Sequence, residues 1–153
     1  MTYDVDQSGK VENTEKNTVI CVSNGRIVIL LLRRGPKRLI QKYFRSLNRG
    51  RDFVLFTFAA MVGLALDKID KNNLVVIDTE YPGKNHIIKK LIIEMSDNLV
   101  PDLRFSYIGK KSSAHKKAYL CGKGIIQHTK LVTVEDLQRK IRKTEAFKKL
   151  SNA

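Results

Sequence analysis

Cysteine is scarce in this chain, with only Cys21 and Cys121 among 153 residues. Neither sits in a CxxC motif or a paired Cys/His spacing, so the usual zinc sites are excluded. Each falls inside a segment with regular patterning. Both are therefore read as buried free thiols, which implies a reducing, cytoplasmic setting. Long apolar runs are missing as well. The longest, FVLFTFAAMVGLAL, covers only 14 residues, short of the roughly 18–20 needed to cross a bilayer. It is read as a buried core helix, and no membrane partner is expected. The opening MTYDVDQSGK is polar and acidic, unlike a secretory signal. No P-loop or Gly-rich dinucleotide fingerprint occurs, and no Ser-His-Asp pattern is present. Acidic residues are also absent from Arg33 to Arg51.

Basic residues are abundant. Lys and Arg number 29 against 15 Asp and Glu, a formal net charge of +14. A field of that sign attracts polyanions, and nucleic acid is the commonest polyanion a soluble protein meets. The 42% hydrophobic content is enough to fill one core, and the length suits a single domain.

The apolar pattern predicts the order β-β-β-α-α-β-α-β-α-α. Tyr3 and Val5 alternate with Asp4 and Asp6 in a first strand. Residues 19–22 and 27–32 are apolar, β-branched-rich runs flanking SNGR, whose Asn-Gly pair is a strong hairpin signal. Pro36 suits the first turn of a helix over residues 37–48, followed by the apolar helix from residue 53 to about 69. Residues 74–77 form a fourth strand, and 85–95 an amphipathic helix with Asn85 as N-cap. A fifth strand covers 103–108, and a helix opens at Ala114. Thr133 begins a basic helix to residue 150 with a capping-type TVED start. Strands alternating with helices in the second half imply parallel crossovers and so a mixed sheet.

Two carboxylates end strands. Asp6 closes the first and Asp78 the fourth, and if those strands are neighbours the two side chains converge. Carboxylates that close repel unless a proton or cation lies between them, and Mg²⁺ or Mn²⁺ prefers such oxygen ligands. Glu80 points to the same side as Asp78 if the chain stays extended. Asp4 is read as solvated, and Glu12 as a loop residue able to reach the site. His115, behind Ser112 and Ser113 as helix caps, can ligate a metal or relay a proton. His86 and His128 have no such context. Arg34, Lys37 and Arg38 on the acid-free first helix, with Lys110 and Lys111 ahead of His115, are candidates for gripping a phosphate backbone.

In this order the residues resemble the RNase H-like superfamily of nucleases and resolvases. YDVDQSG is similar to that family's first-strand Asp-x-Ser motif, and VVIDTEY to its fourth-strand acidic motif. SSAHKKAYL resembles the His-containing helix of the RuvC branch. The resemblance covers residues 1 to about 122, with the C-terminal basic helix outside it. It implies a five-stranded mixed sheet flanked by helices, with Asp6, Asp78 and Glu80 as metal ligands and His115 as ligand or general acid/base. Where the RuvC pattern has an acidic residue about three positions after the histidine, this chain has Lys116, Lys117 and Ala118. Glu80 or Glu12 would have to replace it. The function expected is Mg²⁺- or Mn²⁺-dependent endonuclease action on DNA or RNA. A resolvase would cut two strands as a homodimer. The alternatives are a non-catalytic nucleic-acid-binding protein on the same fold, or an assembly subunit with residues 53–66 partly exposed to a partner.

Overall fold

Apolar runs rich in β-branched residues leave water most readily by pairing into a sheet covered on both faces. The computed structural model describes residues 2–24, 26–70, 73–97 and 102–151. In it β1 (Thr2–Ser8), β2 (Thr18–Ser23) and β3 (Val28–Leu32) pair antiparallel in sequence order. Every residue of β2 and β3 is buried. At the expected hairpin Asn24 takes a positive φ of 86°, a conformation that asparagine tolerates better than most residues. Gly25 lies outside the described residues.

The chain continues through α1 (Arg34–Ser46), a 3₁₀ turn at Gly50–Asp52 and α2 (Phe53–Leu66). β4 (Leu74–Asp78), α3 (Asn85–Met95), β5 (Asp102–Ser106) and α4 (Ser113–Gly122) follow. It closes with β6 (Lys130–Leu131), α5 (Val134–Ile141) and α6 (Glu145–Ser151). β4 joins β1 in parallel, β5 joins β4 in parallel, and β6 joins β3 in parallel. The result is a six-stranded mixed sheet in the order β5-β4-β1-β2-β3-β6, flanked by helices. That is one strand more than expected. β6 spans only two residues, too few to show any periodicity, and pairing with Leu30 and Leu31 defines it.

Two other expectations are corrected. Residues 133–150 do not form one helix. Thr133 and Asp136 make the anticipated capping box, but α5 stops where the buried Thr144 donates its hydroxyl to the Ile141 carbonyl at 2.7 Å. Such side-chain bonds compete with the helix ladder. The chain restarts as α6 with Glu145 N–H donating to Glu94 at 2.6 Å, which turns Phe147 onto Phe44 and Phe56. Asn85, in turn, is the first residue of α3, and Lys84 takes the capping position without a side-chain bond.

The sheet's two faces are covered unequally. On one face α1, α2, α3 and α5 supply the main core, including Ile40, Phe44, Phe58, Met61, Ile88, Ile92 and Leu137. α2 is buried along almost its whole length, as its lack of a polar face requires. Among the described residues, no helix is long and apolar enough to cross a membrane. On the opposite face α4 lays Ala114, Ala118 and Cys121 against Val19, Cys21, Ile29 and Leu31. Burial among these apolar neighbours pushes the Cys21 thiol up to about 12, so it stays protonated. On the α4 side of β4, Leu74, Val76 and Asp78 are only partly buried, while Val75 and Ile77 are fully covered. The sheet is therefore open to solvent beside its carboxylates.

Candidate metal centre

The register of the parallel neighbours β1 and β4 brings the acidic residues together. Val5 of β1 lies opposite Ile77 of β4, so the next residue on each strand sets Asp6 beside Asp78. Alternation turns both toward the α4 face. Asp6 does not close its strand as expected, because β1 runs on to Ser8. It is 3% exposed and lies opposite Cys21 of β2. Past Asp78, Thr79 N–H donates to the Ser106 carbonyl at 2.9 Å. That bond carries the chain on beside β5 and brings Glu80 to the same place. One carboxylate oxygen from each of Asp6, Asp78 and Glu80 lies within 4.8 Å of the others.

Backbone donors and a histidine fix these groups. Gln7 N–H donates to Asp6 Oδ1 at 2.7 Å, and Ile108 N–H donates to Asp78 Oδ1 at 2.7 Å. Asp6 Oδ2 lies 2.7 Å from His115 Nδ1. With Asp6 ionised, Nδ1–H donates to it, and the ring's other nitrogen remains available to exchange a proton. His115 is placed by α4, where the Ser112 hydroxyl caps the helix by accepting from Ala114 N–H. The loop carrying Glu80 is pinned by Tyr81, whose buried ring packs edge-on to Phe58 with centroids 5.3 Å apart. The Tyr81 hydroxyl donates toward Gln7 and Glu12 at 3.4 and 3.3 Å.

The cluster is electrostatically tense. Burial pushes the Glu80 carboxyl up to about 8, reinforced by its hydrogen bonds to Asp78 and Asp6 and by their charge. Burial also raises Asp6, against the lowering effects of the Gln7 N–H and His115. At neutral pH Glu80 thus retains a proton that its neighbours share. A divalent cation suits the same position. Mg²⁺ binds oxygens at roughly 2.1 Å, so no two of its ligands lie more than about 4.2 Å apart. These three oxygens, all within 4.8 Å of one another, need only small shifts to meet that limit. The all-oxygen donor set fits Mg²⁺ or Mn²⁺ better than a softer metal.

The remaining predicted residues divide. Lys110 and Lys111 are exposed on the loop that starts from Ile108, next to the carboxylates. Arg34 and Arg38 are exposed on α1, with Arg38 Nε donating to the Thr14 carbonyl at 3.0 Å. Lys37 does not belong with them. It is completely buried, and its Nζ donates to the carbonyls of Lys10, Asn13 and Lys16 at 3.3, 2.9 and 2.6 Å. Its role is to pin the β1–β2 connection. Burial pulls its ammonium down to about 8. Replacing it with methionine should leave three carbonyls without their donor and cost about 1–3 kcal/mol. Urea melts together with limited proteolysis should show cleavage moving to residues 10–17. An unchanged melt and cleavage pattern would refute that role.

Asp4 is not merely solvated, since it accepts from Asn24 Nδ2 at 2.9 Å and Ser112 Oγ at 3.2 Å. Glu12 meets the Tyr81 hydroxyl rather than the carboxylate cluster. His86 lies exposed on α3. Sequence reasoning passed over Tyr81, Gln7 and Tyr107, the last 76% exposed one residue before Ile108. Tyr81 carried one signal, its place directly after Glu80. No family model, curated protein or solved structure matches the chain.

Proposed function

We propose that this protein is a divalent-metal-dependent nuclease of RNase H-like, RuvC-related architecture that hydrolyses phosphodiester bonds in nucleic acid. The observation carrying this reading is the meeting of Asp6, Asp78 and Glu80 within 4.8 Å, with His115 held on Asp6 at 2.7 Å. A Mg²⁺ or Mn²⁺ ion bound there supplies polarisation of the scissile phosphate and a lowered pKa for an attacking water. Asp6, Asp78 and Glu80 would hold it, with Asp6 and Asp78 fixed by the Gln7 and Ile108 N–H groups and Glu80 as its carboxylate, its proton released to solvent. His115, oriented by Asp6, moves a proton to or from the attacking or leaving oxygen. Lys110 and Lys111 flank the site and neutralise the adjacent backbone phosphates, while Tyr107 offers a ring for base contact.

The test is hydrolysis of labelled DNA and RNA with Mg²⁺ or Mn²⁺, run beside Asp6→Asn and Asp78→Asn. Activity that disappears in both variants and in EDTA supports the reading. Equal cleavage by all three proteins refutes it. A second reading draws on Lys116, Lys117 and Ala118, which leave the site without a fourth carboxylate. On it the same fold binds nucleic acid without cutting it, and salt-sensitive binding with no metal-dependent cleavage is the expected result.

A further inference from the structure

A cavity of about 940 Å³ opens where β1 ends, α1 begins and α4 finishes. Ser8 lines it. Ser8 is two residues beyond Asp6 on the same side of β1, about 7 Å along the strand, so the cavity opens on the same face of the sheet as the carboxylate cluster. Its walls are set by backbone. Gly9 turns there with φ +72°, and a Cβ at that position would come within 2.1 Å of the Asn17 carbonyl oxygen. Gly122 lets the end of α4 close on Ser8, whose Oγ would lie 3.1 Å from an added Cβ.

The lining is basic and carries one aromatic ring. Lys16, Arg33, Arg34 and Lys123 face it, with Glu15 the one carboxylate among its lining residues. Among the described residues, none of these four cations takes part in an ion pair. Tyr119 is 52% exposed, and Lys123 Nζ stands 5.5 Å over its ring. Unpaired cations around an exposed aromatic ring in a concavity are the makings of a single-strand platform, where phosphates meet charge and a base meets a ring. A continuous duplex keeps its bases stacked on one another and cannot offer one to Tyr119.

We propose that this cavity receives an unpaired, single-stranded segment of nucleic acid next to the cleavage position. The base stacks on Tyr119, and Arg33, Arg34, Lys16 and Lys123 neutralise the phosphates. The inference rests on the nuclease reading above and narrows its substrate to strands that leave the duplex beside the metal centre.

The test measures binding of labelled oligothymidylate and of blunt duplex of equal length in EDTA, by fluorescence anisotropy. Tyr119→Ala should weaken single-strand binding about tenfold, the size of one lost stacking contact, with Tyr119→Phe near wild type. The double variant Arg33→Glu/Arg34→Glu should weaken it about a hundredfold or more at low salt. Duplex binding should change less than about threefold in Tyr119→Ala, since stacking needs an unpaired base. Thermal melts confirm that the variants fold, which exposed positions permit. Equal losses on both substrates, or no loss on the single strand, would overturn the proposal. So would a wild type that binds neither substrate. In each of these cases the nuclease reading stands or falls separately, on whether Mg²⁺-dependent cleavage is lost in Asp78→Asn.

Discussion

On the nuclease reading proposed above, Asp6→Asn is expected to lower metal-dependent cleavage by at least about a thousandfold. The several kcal/mol that a bound metal contributes to the transition state sets that scale, at about 1.4 kcal/mol for each factor of ten. Asp6 acts twice. One oxygen belongs to the carboxylate cluster, and Oδ2 also holds His115 at 2.7 Å. An asparagine supplies a weaker ligand and removes the anion that orients the ring. His115→Ala alone should cost about 10²–10⁴, the usual range for general acid–base help. Because the two residues work as a unit, their losses should not add. Asp6→Asn/His115→Ala should be about as inactive as Asp6→Asn. If the double variant lost the product of the two single effects, His115 would be acting independently of Asp6. Single-turnover cleavage, which separates chemistry from binding, is the measurement that decides.

Asp6 and Asp78 were legible as strand-borne carboxylates because period-2 alternation and the polar stretch that follows each of them are local signals. Their meeting depended on β1 and β4 being neighbours, a long-range pairing that the register of the sheet supplies. What stayed hidden depended on tertiary position. Lys37 looks like one more member of a basic face, since no pattern marks which lysine turns inward toward three carbonyls. The break at Thr144 is equally silent, because Ile141, Thr144 and Phe147 keep helical spacing across it. Only packing against Phe44 and Phe56 reveals why the chain bends there. Tyr81 was hidden because its partners Gln7 and Glu12 lie some seventy residues away in the chain. Position within the fold, not residue type, assigns these roles.

Glu80→Gln is expected to make the metal-free protein more stable while removing its response to divalent cation. The Glu80 carboxyl is held at about 8 in the fold against an ordinary 4.5. Between those values the folded state keeps a proton that the unfolded state releases, so stability falls as pH rises through that window. Lys37 slopes the other way, since its ammonium is lowered from 10.5 to about 8. From about pH 8 upward the unfolded chain binds the extra proton, and stability contributed by this group rises with pH. The wild type in EDTA should therefore pass through a minimum near pH 8. Glutamine keeps a hydrogen bond to the aspartates without the buried charge. At pH 8 it should gain ~1–3 kcal/mol after discounting for partial exposure, several degrees in Tm for a chain of this size. Mg²⁺ inverts the ranking, because it stabilises whichever protein binds it. At a hundredfold excess over Kd the wild type should gain about 2.7 kcal/mol, and Glu80→Gln much less. Urea melts from pH 5 to 10, with EDTA and with Mg²⁺, measure both effects. A wild-type stability that stays level from pH 5 to 8 in EDTA, or a Mg²⁺ response retained in Glu80→Gln, would remove Glu80 from the centre and leave two aspartates to hold the ion.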